Sequence, residues 1–320
     1  MSMASNRNAI VTGVAGFIGS HLAEQLVSDG YDVVGIDAFT DYYPRVAKEA
    51  NLADLYHSPH FRLLEGDVLD IDWVPLLGDT QYLFHAAAQP GVRGSWGESF
   101  GVYVRNNILA TQKLLETAQA IGSLKAFIFA SSSSVYGDAE SLPTFEHAEL
   151  KPVSPYGVTK AACEHLCRAY HKSFGLPVVT LRYFTAFGPR QRPDMAFHRF
   201  IGAILHEQEI VIYGDGEQTR DFTFVKDAVR ATVAAATNGP PGQIFNVGGG
   251  CRISVNETIR ILEDIMGTRA RVRHLPAQKG DARHTSADIS KAAEALGYRP
   301  MVGIEKGLRQ EVAWLKASLK

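Results

Sequence analysis

Asn8-Ala-Ile-Val-Thr-Gly-Val-Ala-Gly-Phe-Ile-Gly19 decides the fold of this chain. The run Asn8–Thr12 is short, apolar and strand-like. Gly13, Gly16 and Gly19 follow at once, and a helical period starts at Phe17 and Ile18 and continues through Leu22, Leu26 and Val27. A strand that turns through small residues into a helix lets the backbone approach a pyrophosphate, which then sits on the helix N-terminus. A glycine triplet alone says little. Its place after the first strand, with Asp37 ending the second, makes it a dinucleotide cradle. Asp37 would accept hydrogen bonds from the adenosine ribose hydroxyls and repel a 2′-phosphate. Ala38, Phe39 and Thr40 bring no cation beside it, so the pattern favours NAD over NADP.

Outward from this unit, strands are expected at Asp32–Asp37, Phe61–Leu64, Tyr82–Ala87, Ala126–Ala130 and Val178–Tyr183. Helices are expected between several of them, notably Tyr103–Ile121, with Pro155–Phe174 another. Alternation of this kind predicts an α/β fold, a Rossmann-type doubly wound parallel sheet covered on both faces. After Gly188 the rhythm changes. A proline-bounded loop leads to a helix (Ala196–Glu207), a strand (Ile210–Tyr213), the turn Gly214-Asp-Gly216, a helix (Asp227–Thr237) and a strand (Ile244–Val247). The last 70 or so residues read as two short helices and loops. The expected division is a dinucleotide-binding unit, 1–188, and a smaller C-terminal α/β lobe, 189–320, with segments near 225–250 rejoining the main sheet.

The 320 residues carry 32 basic and 34 acidic side chains, a net charge of −2, and are 46% apolar. No global basic field marks a nucleic-acid partner. No apolar run approaches the ~18 residues of a membrane span, and Met1–Asn8 has no hydrophobic leader region. A cytoplasmic location is the expectation. Three cysteines fit a reducing compartment. Cys163 and Cys167 lie four apart without a second Cys or His pair at zinc spacing, so packing rather than a metal site is expected.

Tyr156-Gly-Val-Thr-Lys160 places a phenol and an ammonium one helical turn apart on one face. A phenol ionises near pH ~10, so service as a base near neutrality needs roughly three units, about 4 kcal/mol. A cation about 4 Å away in a partly shielded site supplies that much. An acid/base couple beside a dinucleotide cradle points to hydride transfer at a carbinol carbon.

The spacing G-x-x-G-x-x-G, together with Tyr156-x-x-x-Lys160, resembles the extended short-chain dehydrogenase/reductase superfamily over nearly the whole chain. The resemblance implies catalytic roles for Ser132, Tyr156 and Lys160, Ser132 lying four residues before Tyr136 of Val-Tyr-Gly. It implies cofactor contacts from Gly13, Gly16, Phe17, Ile18 and Gly19, from Asp37, Asp67 and Val68, from Ala86, Ala87 and Ala88, and from Asn106, Tyr156, Lys160 and Tyr183. Related 4,6-dehydratases carry Asp-Glu directly after the catalytic Thr, and related UDP-glucuronate decarboxylases carry Glu just before Val-Tyr-Gly. This chain has Ser133 and Ser134 there, so no extra acid/base is present and epimerisation is the simplest chemistry.

Gly214-Asp-Gly216 with Gln218, Arg220 and Asp221–Val225 resembles the superfamily's nucleotide-closing segment. It implies a nucleoside diphosphate sugar, with Arg220 and Arg283 on the diphosphate. Gly91–Trp96 and Pro189–Phe197 resemble UDP-glucuronate 4-epimerases, and Thr185 stands where UDP-galactose 4-epimerases usually have Asn. The implied substrate set is Arg93, Ser132, Ser133, Ser134, Thr185, Arg192, Phe197, Tyr213, Gln218, Arg220 and Arg283. Arg192 is the expected ligand of the sugar carboxylate, with Arg190 a second candidate. A neutral-sugar 4-epimerase, a decarboxylase and a silent NAD(H) sensor stay open. Apolar stripes on Tyr103–Ile121 and Pro155–Phe174 match the superfamily's four-helix dimer interface, so a homodimer is expected.

Overall fold

Seven parallel strands form the main sheet of the structure, a computed structural model that describes residues 7–277, 280 and 282–318. Of the stretch read for a leader, Met1–Asn6 lies outside the described residues. In chain order the first strands are β1 (Arg7–Thr12), β2 (Tyr31–Asp37), β3 (Phe61–Glu65), β4 (Tyr82–His85), β5 (Ala126–Ser132) and β6 (Val178–Tyr183). Then come β7 (Thr185–Phe187), β8 (Glu209–Tyr213), β9 (Thr219–Phe224), β10 (Ile244–Val247), β11 (Arg252–Ser254) and β12 (Arg271–Leu275). The sheet order β10-β6-β5-β4-β1-β2-β3 reverses direction at β1/β4, where an open α/β sheet leaves a crevice beyond the carboxyl ends of its strands.

Burial on both faces explains the unbroken apolar strands. On one face Leu22, Leu26, Ala228 and Ala235 of the helices Phe17–Ser28 and Val225–Asn238 pack over Val11, Phe84, Val179 and Phe245. On the other, Leu114, Leu115, Cys163 and Cys167 of Ala110–Ile121 and Pro155–Phe174 cover Ile10, Leu83 and Phe127. Each fully buried Val, Leu, Ile or Phe among them contributes roughly 1.5–3 kcal/mol. A separate aromatic core gathers Phe187, Phe197, Phe222 and Phe224 with Ile201, Ile212, Leu262 and Leu308 outside the main sheet.

Three sequence expectations need correction. Tyr82–Ala87 is strand only to His85, because the Ala87 N–H is taken by Thr12 Oγ1 at 3.1 Å. Tyr103–Ile121 is not one α-helix. A π-helical stretch, Val104–Leu109, interrupts it, a local insertion that a period of 3.6 does not register. The tail is richer than two short helices: Val255–Met266, Ser290–Leu296 and Ile304–Ser318 are helical, and β11 and β12 are added. The first of these helices opens on a full capping box between Ser254 and Glu257. Among the described residues no helix is long and apolar enough to cross a membrane.

Candidate active site

A cleft of about 1120 Å³ runs over the carboxyl ends of β1, β2, β4, β5 and β6 and is lined opposite by residues such as Phe197, Tyr213 and Phe222. Its cofactor end is shaped by backbone. Gly13 has φ 71°, and a Cβ there would lie 2.8 Å from the Ala87 backbone; one on Gly19 would lie 2.1 Å from Gly13 O. Both positions exclude side chains, and Gly16 begins the helix Phe17–Ser28. Asp37 is fixed by N–H groups: Ala15 N donates to Oδ2 at 3.0 Å and Phe39 N to Oδ1 at 2.8 Å. Burial lifts its carboxyl above the ordinary range. A cation does stand near Asp37, contrary to the local reading. Lys48 is buried, lines the cleft, lies close enough to lower the Asp37 pKa, and donates to Thr40 O at 2.6 Å. Nothing within three residues of Asp37 signals it. A closed glycine turn, a helix N-terminus and a fixed ribose carboxylate together fit a dinucleotide.

The cleft floor is equally fixed. Asp67 accepts from Leu69 N at 2.9 Å and from Arg105 Nη1 at 2.5 Å. Ala86, Ala87 and Ala88 continue from β4 along the cleft. His85, fully buried between Thr12 Oγ1 and Thr111 Oγ1, has its pKa pushed down to about 3 by burial and then by the Lys160 charge, so it is neutral. Asn106 faces the cleft. Its neighbour Asn107, turned inward by the π-helical stretch, does the bracing: it accepts from Gln89 N at 2.7 Å and donates to Thr159 Oγ1 at 3.0 Å. Tyr183 lines the cleft with its hydroxyl 2.7 Å from Thr232 Oγ1.

The reactive groups converge on this floor. Ser154 caps the helix Pro155–Phe174 by accepting from Gly157 N at 3.1 Å, and Pro155 occupies its first turn. Tyr156 and Lys160 project from that helix into the cleft. Lys160 Nζ donates to Ala130 O at 2.7 Å and lies 5.0 Å from the Phe129 ring centre. Ser132 ends β5, and its Oγ accepts from Ser134 N at 3.1 Å. Tyr103 places its ring edge-on to Tyr156, centroids 6.3 Å apart, and donates to Pro90 O and Gly91 O, each at 2.9 Å.

Beneath the floor, strand and helix are joined by a buried ion pair. Arg182 Nη2 donates to Glu164 Oε2 at 2.6 Å, both side chains 3% exposed. Glu164 Oε1 also accepts from Ser131 Oγ at 2.5 Å. Arg182 Nη1 reaches Tyr136 OH at 2.7 Å, and Tyr136 donates to Asn246 Oδ1 at 2.7 Å. The network ties the residue before Ser132, the helix of Tyr156 and Lys160, and β10 into one body.

The opposite wall is made of side chains. Arg192 is ion-paired with Asp194 at 3.0 Å. Arg190 turns the other way, to Glu24 at 2.6 Å, and does not line the cleft, which removes it as a carboxylate candidate. Phe197 sits in the aromatic core, 4.5 Å from Phe222. The Arg93 guanidinium lies 4.5 Å from the Tyr213 ring centre. Gln218 donates to Tyr213 O at 3.1 Å, Arg220 to Thr219 O at 2.9 Å, and Arg283 to Asp215 Oδ2 at 2.9 Å. The structure brings every candidate residue except Arg190 to this one cleft, Ser133, Ser134 and Thr185 included. Sequence reasoning passed over Tyr42, Tyr43, Lys48, Gln89, Tyr103, Asn107 and Asp194. Only Asp194, two residues from Arg192, had a local signal. Among the described residues no group of three or more metal-ligating side chains is present.

Residues 9–248 match the model of the NAD dependent epimerase/dehydratase family. The chain is 41% identical over 319 residues to UDP-glucuronate 4-epimerase of Thermodesulfobacterium geofontis, covering 97% of each chain. It is 44% identical over 312 residues to a Bacillus subtilis protein named an uncharacterized UDP-glucose epimerase, covering 96% of this chain and 98% of that one. Its structure resembles UDP-glucuronic acid 4-epimerase from Bacillus cereus, crystallised with UDP-glucuronic acid and NAD. There the TM-score is 0.94 and the identity 46%, over 97% of this chain and 99% of that one. By its glycine turn, its Tyr156–Lys160 couple and these matches, the chain belongs to the NAD dependent epimerase/dehydratase family.

Proposed function

We propose that this enzyme interconverts UDP-glucuronate and UDP-galacturonate by inverting C4 through a 4-keto intermediate. The observation that carries the uronate reading is a guanidinium, Arg192, in the wall of the cleft that holds Ser132 and Tyr156. The relatives named for UDP-glucuronate support it. NAD, held along the glycine turn and Asp37, supplies the hydride acceptor and donor. Tyr156, as phenolate, takes the C4 hydroxyl proton. Lys160 stands one helical turn away on the same face, and Ser132 hydrogen-bonds the C4 oxygen as it becomes a ketone. The sugar turns about its diphosphate linkage and offers the opposite face of C4; hydride returns to the carbon there, and Tyr156 gives the proton back to the C4 oxygen. A 4-keto uronate is a β-keto acid and loses CO₂ when its carboxylate bond aligns with the ketone. Ser133, Ser134, Thr185 and Arg192 hold the carboxylate off that alignment.

In this reading residues 1–188, with about 225–250, form the NAD-binding unit, and the rest of 189–320 holds the sugar nucleotide, Arg220 and Arg283 on the diphosphate. Val102, Leu109 and Val158 are exposed on the helical segments around 100–121 and 155–174. They form the contact of a homodimer, which sizing chromatography at micromolar concentration tests. The location is cytoplasmic.

A neutral-sugar reading has one observation in its favour: Arg192 is already neutralised by Asp194. Incubation with UDP-glucuronate, UDP-glucose and UDP-N-acetylglucosamine in parallel, read by NMR, separates the two. UDP-galacturonate from the first alone is the expected result. Turnover of the neutral sugars alone overturns the uronate reading, and a UDP-pentose product makes the enzyme a decarboxylase. Arg192→Ala is expected to raise KM for UDP-glucuronate roughly 10- to 100-fold, the worth of a charged hydrogen bond.

A further inference from the structure

Arg192 is held. Its Nε donates to Asp194 Oδ1 and its Nη2 to Asp194 Oδ2, both at 3.0 Å. This is a bidentate pair on one edge of the guanidinium fork. Asp194 is itself anchored from across the cleft, where Tyr42 OH donates to Oδ2 at 3.2 Å. The Arg192 guanidinium lies 5.8 Å from the Tyr42 ring centre. Tyr42 belongs to the loop after β2, and its hydroxyl approaches Gly91 closely, 2.6 Å from where a Cβ there would stand. Burial, then the Asp194 charge, pushes the Tyr42 pKa up to about 12, so the phenol stays a donor. Burial opposes the Arg192 charge, and Asp194 more than restores it.

A guanidinium has two bidentate edges. Asp194 takes the Nε–Nη2 edge, and no hydrogen bond among the described residues uses Nη1. The pair is also electrically neutral as a unit. Charge alone therefore does not make the carboxylate subsite. The orientation of the remaining edge does.

We propose that Asp194, anchored by Tyr42, is the specificity-determining positioning residue of this cleft: it fixes Arg192 so that its Nη1 edge meets the carboxylate of a nucleotide-linked uronic acid. The inference rests on the uronate reading above. In this arrangement Tyr42 and Asp194 contact neither the reacting carbon nor the carboxylate. They act by removing the rotamer freedom that Arg192 would otherwise lose on binding.

The test is calorimetric titration of UDP-glucuronate and of UDP into NAD-loaded protein carrying Tyr156→Phe, which prevents turnover. The ratio of the two dissociation constants isolates the carboxylate. Asp194→Ala and Asp194→Asn are each expected to weaken UDP-glucuronate about tenfold relative to UDP, and Tyr42→Phe about two- to threefold. With Tyr156 restored, the Asp194 variants are expected to raise KM more than they lower kcat. Equal weakening of both ligands makes Asp194 merely structural and overturns the proposal. So does an unchanged ratio, and so does tighter UDP-glucuronate binding, which makes Asp194 a competitor of the substrate. Arg192→Ala with a wild-type ratio removes the uronate reading and this inference with it. Loss of the ratio in Arg192→Ala, but not in Asp194→Ala, removes this inference alone.

Discussion

The two walls of the cleft are built by different means. The cofactor wall is mostly backbone: the Gly13 and Gly19 positions admit no Cβ, and Asp37 is held by two main-chain N–H groups. The sugar wall is mostly side chain against side chain, Arg192 on Asp194, Arg93 over Tyr213 and Arg283 on Asp215. A site cut from backbone is tied to strand register and tolerates little. A site made of paired side chains can be retuned one residue at a time.

Glu164 lies where the two kinds of construction meet, and it gives the largest expected effect. Its carboxylate receives Arg182 and Ser131, and the ion-paired side chains are only 3% exposed. Glu164→Gln removes the charge and leaves the guanidinium buried. The expected cost is about 3–5 kcal/mol of unfolding free energy, measured by urea titration. A loss below about 1 kcal/mol would mean that water or Tyr136 takes over the Arg182 charge, and that the rigid body under the catalytic groups is softer than its bonds suggest.

Gly19→Ala comes next and probes the cofactor wall. The new methyl would meet the Gly13 backbone oxygen at 2.1 Å, and neither is the free end of a flexible side chain, so the turn must open. Overpacking of this kind costs roughly 1–3 kcal/mol. The opened turn no longer presents the helix N-terminus, so NAD retained through purification should fall steeply, read by absorbance of the acid-released nucleotide. Full NAD retention with unchanged stability would break the contrast between the walls.

The same contrast explains what could be read from the sequence. Asn8–Gly19 and the placement of Asp37, Ser132, Tyr156 and Lys160 are local patterns, and the order of strands around them follows. The break at Val104–Leu109 leaves no local signal, because six residues of π-helix are too few to show against the apolar period on either side. Asn107 was therefore passed over for Asn106. Tyr42 reaches the cleft from the loop after β2 and Lys48 from the short helix Arg45–Ala50 that follows it, and the path of that segment depends on tertiary packing. Arg190 and Arg192 look equivalent in a row of basic residues. Only the positive φ of 66° at Arg190, with Glu24 waiting on the first helix, sends one outward while the other lines the cleft.

The smallest expected effect belongs to the rim of the sugar wall. Arg283 and Asp215 pair at 2.9 Å, yet their side chains are 64% and 55% exposed. Two long side chains held together in water gain little, about 0–1 kcal/mol, and salt screens even that. Asp215→Ala should therefore leave the thermal midpoint nearly unmoved. It also frees the Arg283 guanidinium for a diphosphate, so UDP binding should change by no more than about threefold, a Coulombic difference of under 1 kcal/mol at an exposed site, and in the direction of tighter binding at low salt. The same substitution made at Asp194, with its partner 19% exposed, is expected to weaken uronate binding instead. If both aspartates respond with the same sign, both act only as counterions. Opposite signs, from two arginine–aspartate pairs in one wall, would show that the inner one works by orientation and the outer one by charge.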